Sequence, residues 1–416
     1  MTYQLYFIQR NYVADDIFGG ENKNFPERDL VICDEAHKLC DIVQSQYSPI
    51  IEINRPNWMI MLDEYATKYH IQYKDEYDRQ NIIKQLLHEN DKEKIFSLIK
   101  EYEEYVSFYQ DLNESIRDNY KNSNNKKIIQ KYLFYGNIAR EVHCKLDDLI
   151  SFISYLNNTK YIVKSIDNEN ISINYIYESI MLLKYFHYKS KNELLMSATI
   201  GDYETYLTMI GLEKENSIFL NISSTFDYSN SPIYISSNNK MSWKEKNNSI
   251  INITEKVIDL CHKHNNEKGI IQTGNYEVAK YLHDNIPLDI FNRLIFYFNS
   301  KDKLTALTKY QNSTNGILVG PTLLEGLNFP GNECRFSICM KLPYANLSNK
   351  LVEEKKNNIK NWYTYDVMTK LEQGFGRGIR FNGDWCITYI LDGCISDLLR
   401  YNDFNKNIQN RLKNIN

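Results

Sequence analysis

From residue 192 onward the sequence alternates short, uninterrupted apolar runs with stretches of helical periodicity. The runs are "NELLMSATI" (192–200), "SPIYIS" (231–236), "KGIIQT" (268–273), "NGILVG" (315–320), "CRFSICMKLPY" (334–344) and "WCITYILD" (385–392). Between them, 245–265, "YEVAKYLHD" (276–284) and 362–373 place apolar residues three or four apart. A strand that is apolar throughout is buried on both faces, and a helix between two such strands gives a parallel crossover. The pattern therefore predicts an α/β fold with a doubly wound parallel sheet. It excludes an all-β sandwich and a simple helical bundle for this half of the chain.

An earlier apolar run behaves the same way. "LVIC" (Leu30–Cys33) enters Asp34-Glu35-Ala36-His37 without a break. In doubly wound sheets, ligand sites lie beyond the carboxyl ends of the strands. Adjacent carboxylates there suit a nucleoside triphosphatase: Asp34 would hold Mg²⁺ through its water shell, and Glu35 would orient the attacking water. The other reading is an acidic helix N-terminus, since both residue types favour a first turn. Ser197-Ala198-Thr199 likewise ends an apolar run. "QGFGRGIR" (Gln373–Arg380) sets two arginines three apart among glycines, which suits a phosphate ligand through planar guanidinium forks and close backbone approach. "GPTLLEGLN" (320–328) follows a strand and reads as a loop lining a site.

Residues 56–157 read differently. "EKIFSLIKEYEEYVSFYQDL" spaces Ile95, Leu98, Tyr102, Tyr105 and Tyr109 along one helical face, so this region is expected to be helical. Its tyrosines read as core rather than as base-stacking platforms, and "KEYEEY" is too acidic for a DNA surface. "YIVKSIDNENISINYIY" (161–177) predicts a hairpin turning at "DNEN". The net charge of −4 gives no global nucleic-acid footprint, so any such contact must be local. Eight cysteines include no C-x-x-C pair, which argues for reduced thiols and against a zinc or iron–sulfur site. Cys261, His262 and His264 read as a helix end rather than a metal site. No segment is as apolar as a membrane span, and a cytoplasmic protein is expected.

The ordered set "DEAH … MSATI … KGIIQTGNY … GPTLLEGLNFPG … KLPY … QGFGRGIR" resembles the XPD/DinG-type DNA helicases of superfamily 2. The resemblance implies two RecA-like domains, the first incomplete, with a helical Arch-like insertion. Residues 1–42 with 159–200 would form part of domain 1, 43–158 the insertion, and 201–416 domain 2. It implies ATP and Mg²⁺ as cofactors and single-stranded or forked DNA as partner. Asp34 becomes the Mg²⁺ ligand and Glu35 the catalytic base. Arg377 and Arg380 become arginine fingers, with Gln373 and Gly376 beside the nucleotide. His37, Glu325 and Gly326 would join ATP to the coupling machinery, while Ser197, Thr199, Thr273, Gly274 and Thr322 would line the nucleic-acid track or the cleft.

Two departures matter. No glycine in the sequence is followed by lysine, so no G-x-x-x-x-G-K-[ST] phosphate cradle is encoded. Asn328 stands where the family pattern has an acid. The expectation is an ATP-dependent helicase whose cradle comes from a second polypeptide or from a longer intact product. The alternative is a non-catalytic nucleic-acid-binding or assembly module that keeps the helicase shape. A sheet lacking its first strand and helix would expose apolar surface, which predicts a partner chain or self-association.

Overall fold

A computed structural model describes residues 28–48, 50–52, 162–166, 170–187, 190–299, 301–321, 329–375, 379, 381, 383–400, 404 and 406–414, with a few isolated positions between 107 and 130. The helical reading of 56–157 and the turn of the 161–177 hairpin lie outside them. Three sheets are present among the described residues.

The first pairs β1 (Arg28–Cys33) with β5 (Ser190–Leu195) in parallel, Leu30 opposite Asn192 and Cys33 opposite Leu195. Between them in the chain come α1 (Leu39–Tyr47), β2 (Ile50–Glu52), β3 (Ile162–Ile166), β4 (Asn170–Tyr175) and α2 (Ser179–Tyr185). β3 and β4 form the expected antiparallel hairpin, and β2 adds to β4. One face of the β1–β5 pair is covered: Cys33, Leu39, Val43, Leu182 and Ile210 are buried. The other face carries Leu30, Ile32, Leu194 and Met196, which are 49%, 59%, 44% and 41% exposed. α3 (Tyr203–Ile210) follows; Asp202 caps it by accepting from Thr205 N–H.

The third sheet has seven strands, every neighbouring pair parallel. In chain order the elements are β6 (Ile233–Ile235), α4 (Lys246–Lys263), β7 (Gly269–Gln272), α5 (Tyr276–Asn285), α6 (Leu288–Phe291), β8 (Leu294–Phe296), α7 (Asp302–Asn312), β9 (Ile317–Gly320), β10 (Phe336–Cys339), α8 (Lys350–Asn358), α9 (Trp362–Phe375), β11 (Ile387–Ile390), α10 (Cys394–Leu399), α11 (Lys406–Gln409) and β12 (Leu412–Asn414). The strand order is β12-β6-β11-β10-β7-β9-β8. Both faces are covered. Ile271, Val319, Ile338 and Tyr389 pack under α4 and α5, whereas Ile233, Cys339 and Ile390 pack with Val367, Leu371 and Phe375 of α9. Residue alternation along each strand sends neighbours to opposite layers.

Candidate functional site

The backbone pairing of β1 and β5 continues past their last strand residues. Met196 N–H donates to Cys33 C=O at 2.8 Å, and Ala36 N–H donates to Met196 C=O at 2.8 Å. This register lays residues 34–37 beside 196–199. Ala36 is fully buried, and its carbonyl accepts from the Tyr206 hydroxyl at 3.0 Å, which fixes the turn from inside. Asp34 and Glu35 stay exposed at the strand end. Asp34 Oδ1 accepts Glu35 N–H at 2.9 Å. Glu35 adopts φ 52°, a left-handed conformation that costs a non-glycine residue on the order of 1–3 kcal/mol and clusters at functional sites.

His37 connects the two strand ends. Its Nδ1 lies 2.7 Å from the Ser197 hydroxyl and 3.3 Å from Glu35 Oε2. Ser197 Oγ accepts Thr199 N–H at 3.1 Å. Thr199 is buried, and its hydroxyl accepts a longer 3.5 Å bond from Gln373 Nε2. A polar path thus runs Glu35, His37, Ser197, Thr199, Gln373. It starts at the exposed carboxylates and ends on the last turn of α9.

α9 meets residues 199–201 through one stripe. Tyr365, Thr369 and Gln373 are four apart and share a face. The Tyr365 hydroxyl donates to Ile200 C=O at 2.9 Å. A Cβ on Gly201 would sit 2.8 Å from Tyr365 Cε2 and 2.9 Å from Thr369 Oγ1, and Gly201 has φ +72°. Only glycine meets both demands. Beside this stripe lies a cavity of about 310 Å³ lined by His37, Cys40, Tyr365, Thr369 and Gln373 among others.

A second contact joins the two halves farther out. Lys355 of α8 donates to Glu178, at the start of α2, and both are buried. Burial pushes the Glu178 carboxyl above its ordinary range, and the facing Lys355 ammonium opposes that shift. The Tyr177 hydroxyl donates to Asn358 C=O at 2.9 Å.

Sequence reasoning reached Asp34, Glu35, His37, Ser197, Thr199 and Gln373, and the fold brings these together. Thr273 and Gly274 lie elsewhere, at the carboxyl end of β7. Thr273 is buried with its hydroxyl donating to Asn275 C=O at 3.0 Å. Gly274, at φ +77°, packs against Lys341. Thr322, Glu325, Gly326, Asn328, Gly376, Arg377 and Arg380 lie outside the described residues. Tyr365, Tyr206 and the Glu178–Lys355 pair were missed. Each bridges positions 165–177 apart, and no local pattern marks them.

The Asp34 carboxylate suits Mg²⁺. It is a hard oxygen donor open to water, and Mg²⁺ retains much of its water shell. Among the described residues no group of three or more His, Cys, Asp or Glu could hold a metal, so this would be a single-carboxylate site completed by water and substrate. No helix among them is long and apolar enough to cross a membrane.

Residues 257–411 match a helicase C-terminal domain. The ATP-dependent DNA helicase CHL1 of Candida glabrata is 34% identical over 145 aligned positions, covering 29% of this chain and 16% of that protein. The chain thus spans well under two thirds of this curated relative. Among solved structures, S. tokodaii Xpd4 superposes with a TM-score of 0.55 at 13% identity, covering 100% of this chain and 82% of that one. An XPD helicase gives 0.51 at 14% identity, over 93% and 68%. The fold is that of the XPD-type superfamily 2 helicases, and the resemblance read from the ordered motifs holds.

Proposed function

We propose that this chain, carrying a helicase C-terminal domain on an XPD-type fold, is the C-terminal part of an ATP-dependent helicase or translocase acting on single-stranded or forked DNA. Residues 1–42 with 159–200 form its partial first motor domain, 43–158 an Arch-like insertion and 201–416 the second motor domain. The observation that carries the reading is the polar path from Glu35 through His37, Ser197 and Thr199 to Gln373. It links a carboxylate fit to activate water with the helix that leads into Arg377 and Arg380. A change at the phosphate end is therefore felt at the interface between the two halves.

In this reading Glu35 takes the proton of the attacking water while His37 holds its carboxylate from behind. Asp34 would hold Mg²⁺, which, when bound, offsets phosphate charge during transfer. Arg377 and Arg380 meet that charge from the second domain, with Gly376 allowing close approach. Glu325, Gly326 and Thr322 report the nucleotide state to the track formed with Thr273 and Gly274.

The phosphate cradle comes from a segment outside this sequence, carried by a second polypeptide or by a longer product. Two observations support this. No glycine here precedes lysine, and the β1–β5 sheet leaves Leu30, Ile32, Leu194 and Met196 exposed beside the carboxylates. Parallel strands are normally covered on both faces. The missing cradle and Asn328 also favour the second reading, an assembly module without catalysis.

The test is DNA-stimulated ATP hydrolysis by the purified chain, alone and with the product of the adjacent gene, for the parent, Glu35→Gln and Arg377→Ala. Hydrolysis that requires the second polypeptide and falls at least a hundredfold in both variants is expected. Hydrolysis absent under every condition, with DNA still bound, favours the assembly module.

A further inference from the structure

Trp243 takes no part in the site described above. Its side chain is 84% exposed, in contrast to Trp362, which is 7% exposed. Scattered exposed aliphatic residues need no account, but an indole this exposed is uncommon. Three features of its setting point to a ligand.

The first is place. Trp243 lies in the segment joining β6 to α4, at the carboxyl edge of the seven-stranded parallel sheet, where ligands bind in such folds. Thr273 and Gly274 lie at the same edge, after β7. Lys246, at the start of α4, donates to both carboxylate oxygens of Glu277 on α5 at 2.9 and 3.0 Å, which ties the two strand exits together.

The second is rigidity. Met241, two residues before the indole, is buried, and its N–H donates to Asp392 Oδ1 at 2.9 Å. Asp392 is itself buried and also accepts from Leu342 and Cys394 N–H. One residue before the indole, Ser242 C=O accepts from Lys246 N–H at 2.9 Å. The ring is thus carried on an anchored turn, as a preorganised contact residue should be.

The third is chemistry. The Lys246 ammonium sits 5.0 Å from the indole centroid, over one face. Among the described residues no other ring or cation stacks on Trp243. Lys244 is exposed next to it. Lys246, paired with Glu277, backs one face of the ring, and an open indole face with the exposed Lys244 next to it matches a nucleobase with its adjoining phosphate.

We propose that Trp243 is a stacking platform for one base of a single strand of nucleic acid on the face opposite Lys246, with Lys244 beside the neighbouring phosphate. This rests on the nucleic-acid reading given above. It adds a contact that reads the flat face of a base and is indifferent to sequence.

The test is fluorescence anisotropy of a labelled oligothymidylate with the full chain, comparing the parent with Trp243→Ala and Trp243→Phe. Trp243→Ala should weaken binding about tenfold, with an unchanged salt slope because no phosphate contact is removed. Trp243→Phe should recover most of the loss. On an abasic strand the parent and Trp243→Ala should bind alike. The exposed position should leave the thermal midpoint unchanged in both variants. Binding by the parent that Trp243→Ala does not weaken overturns the platform and leaves the helicase reading standing. A deficit that persists on the abasic strand also overturns it. Failure of the parent to bind any strand overturns both.

Discussion

The two parallel sheets follow the same pattern and end in different states. In the seven-stranded sheet, all residues of β7, β9 and β10 are buried, with helices on both faces. In the β1–β5 pair, apolar character is confined to Leu30–Cys33 and Leu194–Leu195, and there Ile32 is 59% exposed and Leu30 49%. The difference teaches which sheet is covered on both faces by the described residues and which is covered on one. The half that holds the carboxylates keeps an apolar face open, while the half that would supply the arginines is closed on itself.

Substitutions can break or sharpen that contrast. The largest effect is expected at Phe336, wholly buried on β10. Phe336→Ala should cost about 3–5 kcal/mol in urea unfolding of the seven-stranded unit. A cost under about 1 kcal/mol would mean that this core is not the closed one.

Lys355→Met should rank next, since it leaves the Glu178 carboxylate buried without its partner, at about 3–5 kcal/mol. Adding Glu178→Leu should recover much of the loss. A single variant as stable as the parent would show that the two halves do not meet there.

Asp392→Ala removes the acceptor for three backbone N–H groups from separate segments. A loss of about 2–3 kcal/mol is expected. Amide exchange should quicken around Met241 and Leu342 and leave β1 unchanged.

His264 gives a smaller, pH-dependent effect. It stacks on Phe336 at 4.4 Å and faces Glu267, Tyr389, Lys263 and Arg293. Burial, the largest cause, lowers its pKa below 6.5, and the nearby Lys263 and Arg293 charges add to this, while Glu267 opposes it. The folded state therefore binds this proton more weakly than the unfolded chain. Its contribution is complete above pH 6.5 and is lost as pH falls from there through the lower folded value. Melting temperatures from pH 7.5 to 5.5 should fall for the parent more steeply than for His264→Gln.

The smallest effect is expected on the open face. Ile32→Ser should change the stability of the isolated chain by no more than about 0.5 kcal/mol. It should weaken capture of the polypeptide that supplies the cradle, if one docks there. A core-sized loss in the chain alone would erase the contrast between the two sheets.

Much of the architecture was legible before any coordinates. The runs at 231–236, 268–273, 315–320, 334–344 and 385–392 became β6, β7, β9, β10 and β11, because continuous apolar character is what two-sided burial selects. β8 and β12 were not read. "LIF" is only three residues long, and "LKN" is an edge strand with polar character, so neither carries a period. The functional residues at strand ends were readable by type, since carboxylates and hydroxyls stand out after apolar runs. Tyr365 and Lys355 were not, since a tyrosine on an amphipathic helix and a lysine among lysines look like ordinary face residues.

The sequence by itself determined the parallel α/β class, the order of the motifs, the position of Asp34 and Glu35 at a strand end, and the want of a phosphate cradle. All follow from short-range pattern and residue chemistry. Only the tertiary structure decided that His37 meets Ser197 at 2.7 Å across 160 residues, and that Gln373 reaches Thr199. Such contacts depend on strand register and on how one helix lies against a turn. Those are set by packing summed over the whole molecule, and no stretch of sequence encodes them alone.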